Sequence, residues 1–180
     1  NRAATGTKPA AKPSAKVAVK LPAPLLAEVR EHTARADREI TDGYERQAVT
    51  TTAAYMLDEA GLLDEADALL KANLTRSHSP YYLMSDLAAN AKKGGDKATA
   101  LRWYQEAFDK SEGPDTRLQW GAAYVSALVE LAPQDTQRIE SVAQQLFTEA
   151  GTHPNAFYER SARSLKKVGA RLQSWNQAGQ

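Results

Sequence analysis

The sequence predicts an all-α fold, a short array of antiparallel helical hairpins closed by a capping C-terminal helix, and three observations predict it. The first is a near-repetition: Gly61 and Gly95 are separated by 34 residues, as are Ala66 and Ala100, and Leu70 and Tyr104. A period of this size marks a supersecondary unit that stacks on its own copies. The second is the apolar spacing, which recurs every three to four residues between Gly and Pro breaks. The third is a small residue (Ala66, Ala100, Gly121) where two helices of a hairpin come close.

Residues 1–23 are rich in Ala, Lys and Pro, with Pro9, Pro13 and Pro22 inside the segment and Pro24 behind it. Proline fixes φ and removes donors, so the stretch reads as a flexible linker or arm before a helical domain over 24–180. The first helix is expected from Pro24 to Thr41, with Leu25, Val29, Thr33, Ala36 and Ile40 on one stripe. Asp42-Gly43 breaks it. A second helix runs from Tyr44 to Ala60, with Ala48, Thr52, Tyr55, Met56 and Glu59 spread around it, and Gly61 is its left-handed stop. The third, Asp64 to Leu74, buries Ala66, Leu69, Leu70 and Leu74.

Ser79 is the expected N-cap of a fourth helix, with Pro80 at its first position. That helix reaches Lys93 through Leu83, Met84, Leu87, Ala88 and Ala91, and Gly94-Gly95 turns the chain. A fifth spans Asp96 to Lys110, with Trp103, Tyr104 and Phe108 assigned to the core. The third unit is stretched: its first helix begins near Leu118, buries Trp120 and ends at Pro133. A partner from Asp135 buries Ile139, Val142, Ala143, Leu146 and Phe147. Gly121 and Ala143 are 22 apart, against 12 for Ala54 and Ala66, so the unit diverges from its predecessors. The capping helix is placed at Asn155 to Trp175, with Tyr158, Ala162, Leu165, Val168 and Leu172 on its stripe.

Composition narrows the function classes. A net charge of +1 gives no whole-chain attraction for nucleic acid or membrane, and no nucleic-acid partner is expected. The basic residues Arg2, Lys8, Lys12, Lys16 and Lys20 nevertheless crowd into residues 1–20 without an acid, so a basic arm that grips anionic polymers is one alternative. With no cysteine, the chain holds no disulfide, thiol nucleophile or thiolate metal site. No apolar run is long enough for a membrane span. The chain opens on Asn1 and reads as a piece of a longer product.

Catalytic patterns are sparse. His32, His78 and His153 lack a second His or acid at metal-ligand spacing, so no metal or cofactor is expected. Ser77-His78-Ser79 has the residue types of a nucleophile and base, but adjacency supplies neither an orienting acid nor an oxyanion hole. A hydrolase within the helical array is a second alternative, and it requires His78 or His153 to meet carboxylates. Gly94-Gly95 precedes Asp96 and not a phosphate-binding Gly-Lys pair. The chain is therefore read as non-enzymatic.

What remains is a surface. Helix register places Thr51, Tyr55 and Asp58, then Tyr82, Ser85, Ala89 and Lys93, then Gln119, Ala122 and Ser126 on one inner face. Tyrosines among small polar residues suit an extended peptide or a packed neighbouring domain. Tyr55 and Tyr82 fit the core equally well.

Gly95-Asp96, Ala100-Leu101, Trp103-Tyr104 and Glu106-Ala107-Phe108, with Asp64-Glu65-Ala66 one period earlier, resemble the tetratricopeptide family. That resemblance implies a scaffold which binds a protein or peptide partner. It does not extend to the family's lysine/asparagine clamp for chaperone C-termini, because Thr51, Tyr55 and Asp86 stand where basic or amide groups would be expected. Arg46-Gln47-Ala48-Val49, the run from Ser77 to Met84 and Thr116-Arg117-Leu118-Gln119-Trp120-Gly121 resemble the helical C-terminal region of exported proteobacterial thioredoxin-family proteins. This second resemblance implies a periplasmic appendage, with the thioredoxin-like domain of the same full-length product as a possible partner. The thioredoxin fold and its cysteine motif are absent from these 180 residues. The leading expectation is a non-catalytic protein-interaction module.

Overall fold

The computed structural model describes residues 21–177, which form eight α-helices and no strand. They are α1 (Ala23–Glu39), α2 (Gly43–Glu59), α3 (Leu63–Asn73), α4 (Pro80–Lys93), α5 (Lys97–Lys110), α6 (Pro114–Leu131), α7 (Thr136–Gly151) and α8 (Glu159–Gln177). The all-α class is therefore as expected. Most of the basic arm, residues 1–20, lies outside the described residues.

Two glycines 34 residues apart close their helices in the same way. Gly61 and Gly95 have φ of 79° and 82°. Behind α2, Leu62 N–H donates to Leu57 O (2.8 Å) and Gly61 N–H to Asp58 O (2.9 Å). Behind α4, Asp96 N–H donates to Ala91 O (2.9 Å) and Gly95 N–H to Lys92 O (3.0 Å). Both ends are Schellman closures, in which a left-handed residue turns the chain back onto carbonyls that the helix leaves open. Only glycine adopts that conformation without steric cost.

Sequence neighbours pack together from α1 to α7, and α6 also packs on α8, while α4 sits against α2, α3 and α5. One core joins α2 to α5 through Leu57, Leu70, Leu87 and Trp103. A second, around Phe108, Trp120, Leu128 and Ile139, links α5, α6 and α7, and a third, around Leu118, Leu146, Leu165 and Val168, brings in α8. Gly121 has the expected close-contact role: a Cβ there would lie 2.8 Å from Leu146 Cδ1 and 2.9 Å from Phe108 Cε2. Helices α6 and α7 are 18 and 16 residues long, against 14 each in α4 and α5.

Several side-chain expectations are corrected. In α2, for which the sequence marks no single buried face, the buried stripe is Thr50, Ala53, Ala54 and Leu57, while Ala48, Thr52, Tyr55 and Met56 are exposed. Tyr55 lies about 100° around the helix from Ala54, outside the contact with α3 and α4. Phe147 is 40% exposed for the same reason, about 100° from the buried Leu146. Leu25 is 45% exposed in the first turn of α1, a helix whose backbone approaches only α2. The capping helix starts later than expected: residues 152–158 form turns and Glu159 has φ of 42°, which a right-handed helix cannot pass through. Tyr158 is consequently 69% exposed before the helix. Ser79 holds the N-cap position of α4, yet its hydroxyl caps no backbone N–H. It meets His78 Nδ1 and accepts from Tyr81 OH, both at 3.1 Å.

Arg46 is only 2% exposed, where a cation is ordinarily left in solvent. Its Nε–H donates to Asn73 Oδ1 at 3.1 Å, and its terminal nitrogens donate to the carbonyls of Asp37 and Ile40 and to the Asp37 carboxylate. Asn73 Nδ2 completes the set with a 2.9 Å bond to the same carboxylate. Burial works against ionisation of Asp37, but the bonds from Asn73 and Arg46 outweigh it and hold the carboxyl below its usual range. One polar knot thus fixes the end of α1 to α2 and α3, with the buried charge paired and hydrogen-bonded as its burial demands.

Candidate functional site

Helix α4 is the centre of the surface. At about 100° per residue, Lys92, Ser85, Ala89, Tyr82, Lys93, Asp86 and Asn90 cover an arc of about 160°, away from the buried Leu83, Leu87 and Ala88. One flank of this arc faces a cavity shared with α2, and the other faces a groove shared with α6 and α8.

The α2–α4 cavity has a volume of about 410 Å³ and is lined by Thr51, Tyr55 and Asp58 of α2, Leu70 of α3, and Asp86, Ala89 and Asn90 of α4, among others. Lys93 Nζ closes one end by donating to both oxygens of Asp58, at 2.7 and 2.9 Å. Asn90 is held by Asp67 through a 2.8 Å bond. Thr51 Oγ1 donates to the Ala48 carbonyl of its own helix at 2.9 Å. Asp86 differs from these neighbours. It is half-buried, no hydrogen bond or ion pair from the described residues reaches its carboxylate, and burial alone raises its pKa to about 6.

The second region is a groove in two compartments that share Gln119 and Ser164. One, of about 460 Å³, is bordered by Tyr82, Asp115, Tyr158, Glu159 and Arg160. The other, of about 310 Å³, is bordered by Lys92, Tyr104, Ser126, Glu130, Lys167 and Arg171. Glu130 receives Lys92 Nζ at 2.7 Å and lies 3.6 Å from Arg171, whose Nη1 donates to the Ser126 carbonyl at 3.0 Å. The Lys92 bond is the main reason the Glu130 carboxyl lies below its usual range. Burial raises the Tyr104 phenol above its ordinary value. Tyr82 is partly core and partly surface: it meets the buried Trp120 edge-on at 5.3 Å while its exposed side borders the groove. The Trp120 indole N–H is buried with no hydrogen-bond partner.

The predicted inner-face residues therefore fall into two groups. Thr51, Tyr55 and Asp58 share the first cavity, with Lys93 at its rim; Tyr82, Gln119 and Ser126 border the groove. Ser85 sits beside Lys92 on the α4 arc and borders neither space. Register reasoning did not select Asp86 for the site, although it is four residues from Tyr82 and seven from Lys93 and so shares their face. Lys92, Glu130 and Arg171 were missed because their grouping depends on how three helices pack.

The three histidines sit in separate elements: α1, the α3–α4 connection and the turn before α8. His78 is exposed and stacks on Tyr44 at 4.0 Å, His32 is exposed on α1, and His153 is half-buried in a turn. No carboxylate bonds to any of them, and among the described residues no group of three or more His, Asp or Glu could hold a metal ion. No described helix is long and apolar enough to cross a membrane. Compared with known protein families, characterised proteins and solved structures, the chain gives no match.

Proposed function

We propose that this chain is a protein-interaction module of tetratricopeptide-like build, which holds an extended segment of a protein partner along the side formed by α2, α4, α6 and α8. One observation carries the reading: the cavity and both compartments of the groove are bordered mainly by these alternate helices. Stacked hairpins give that pattern, because the first helix of each pair lines one face and the second covers the other. The small side chains along the centre, Ser85, Ala89, Ala122 and Ser126, leave room for a backbone to approach. The neighbouring tyrosines and charged groups supply side-chain contacts. The thiol–disulfide setting rests on sequence resemblance alone and adds no residue to the site.

The test starts with peptides enriched on the purified domain from a random displayed library. Ser85→Arg and Ser126→Arg place bulk and charge on the centre of the face and should each weaken the selected peptides at least tenfold, about 1.4 kcal/mol. Gln144→Arg, on the exposed side of α7, should leave them unchanged. Equal binding by all three variants refutes the proposed face.

A further inference from the structure

We infer that the α2–α4 cavity is a pocket for a lysine or arginine side chain of the bound segment, with Asp86 as the charge that receives it. The inference rests on the interaction reading above and assigns the chemistry of one subsite within it. Four observations meet here. The cavity is large enough for a long aliphatic side chain, at about 410 Å³. Its accessible walls include Ala89 and the methyl groups of Thr51 and Thr52 together with the ring of Tyr55, surfaces against which the methylenes of a lysine or arginine pack. Tyr55 is 63% exposed, so its ring is free to cover an entering cation.

The fourth observation is charge. Asp58 lines the same cavity but is already held by Lys93, and Asp67 is engaged by Asn90 and lies 3.5 Å from Lys71. Asp86 alone among these three carboxylates has neither a cation nor a donor. A carboxylate removed from water without a partner is destabilised, and an incoming ammonium or guanidinium restores what burial took away. The opposite charge, on a peptide acid, would face two carboxylates in a partly dry cavity and be rejected.

The probe is a short blocked alanine–serine peptide with one central lysine, beside the same peptide with norleucine at that position. Both are titrated into the isotopically labelled protein, with amide shifts followed by NMR. The lysine peptide should bind about tenfold more tightly than its norleucine counterpart, with shifts centred on Tyr55, Asp86 and Ala89. Asp86→Asn should abolish that preference, and Asp86→Glu should restore part of it. Because Asp86→Asn removes a desolvated charge, the variant remains folded, which its thermal melt checks. Equal binding of the two peptides, or a lysine preference that survives Asp86→Asn, overturns the cation pocket. If the equal binding still maps to α2 and α4, the interaction face stands without it. If neither peptide binds, the pocket is overturned and the library-selected peptides decide the face separately.

Discussion

Replacing Asp86 by asparagine should make the protein more stable at neutral pH. The carboxyl pKa is raised from 3.8 to about 6 by burial, with no partner to offset it. At about 1.36 kcal/mol per unit, the full shift corresponds to a ceiling of about 3 kcal/mol. Asp86 is only half-buried, and solvent reaching the carboxylate reduces the net figure to about 1 kcal/mol. The sign follows from proton linkage. A folded-state pKa above the unfolded one means that the native protein binds the proton more tightly. Its contribution is therefore full below about pH 4 and is lost as pH rises through about 6. Urea denaturation of both proteins from about pH 4 to 7.5 measures this directly. Asp86→Asn should lie above the parent by about 1 kcal/mol at pH 7, equivalent to a melting temperature higher by about 2–4 °C. The two curves should converge toward about pH 4. Asp58, Lys93, Asp67 and Lys71 are present in both proteins, so their titration cancels in the comparison. A variant less stable than the parent at pH 7, or a difference independent of pH, would refute the assignment of Asp86 as an unpaired, desolvated carboxylate.

Other substitutions probe the frame that carries the site. Arg46→Met leaves the Asp37 carboxylate to Asn73 and to Arg76 at 3.6 Å but strands the Asn73 and Ile40 oxygens that Arg46 satisfies, and should cost about 1–3 kcal/mol in urea denaturation at pH 7. Because the folded pKa of Asp37 is depressed, its stabilising share is present above about pH 4 and lost as pH falls further, so the deficit of Arg46→Met should shrink in acid. Gly121→Ala forces its methyl against Leu146 and Phe108 and should destabilise by about 1–3 kcal/mol, seen as a lower denaturation midpoint with unchanged slope. Gly61→Ala and Gly95→Ala each place a Cβ at positive φ, and thermal melts should show a loss of about 1 kcal/mol apiece although nothing crowds either site.

The parts of this fold that were legible in the sequence are those governed by local chemistry. Gly61 and Gly95 announce their left-handed closures because no other residue takes that conformation cheaply. Pro80 marks a helix start for a similarly local reason, whereas α6 begins at Pro114, four residues before the start expected near Leu118. Gly121 was legible as a contact position because its place in the repeat demands a small residue. The failures share a different cause. Arg46 is indistinguishable from a surface cation until Asp37 and Asn73, 9 and 27 residues away, converge on it. In α2, alanines and threonines lie on every side, so no apolar stripe distinguishes the face with Leu57 from the face with Tyr55. The late start of α8 follows from the backbone at Glu159, a residue with no sequence signal for a positive φ.

The candidate site divides along the same line. Helical spacing alone grouped Thr51, Tyr55 and Asp58, and also Gln119 with Ser126, because neighbours on one helix face are fixed by geometry. The separation of these groups by the α4 ridge, and the isolation of Asp86 from any cation, depend on packing between helices. Asp86 did carry a trace in the sequence: the tetratricopeptide resemblance leads one to expect a basic or amide group there, and the residue is an acid. Only the surrounding side chains reveal that it lacks a counterion.

The most direct test of the interaction face is to map a bound peptide. Amide resonances of the labelled domain should be followed while a library-selected peptide is added. The proposed face requires the largest shifts on the Thr51–Asp58 turns of α2, Tyr82–Lys93 of α4, Gln119–Ser126 of α6 and Ser164–Arg171 of α8. Shifts confined to the outward positions of α3, α5 and α7 would contradict it.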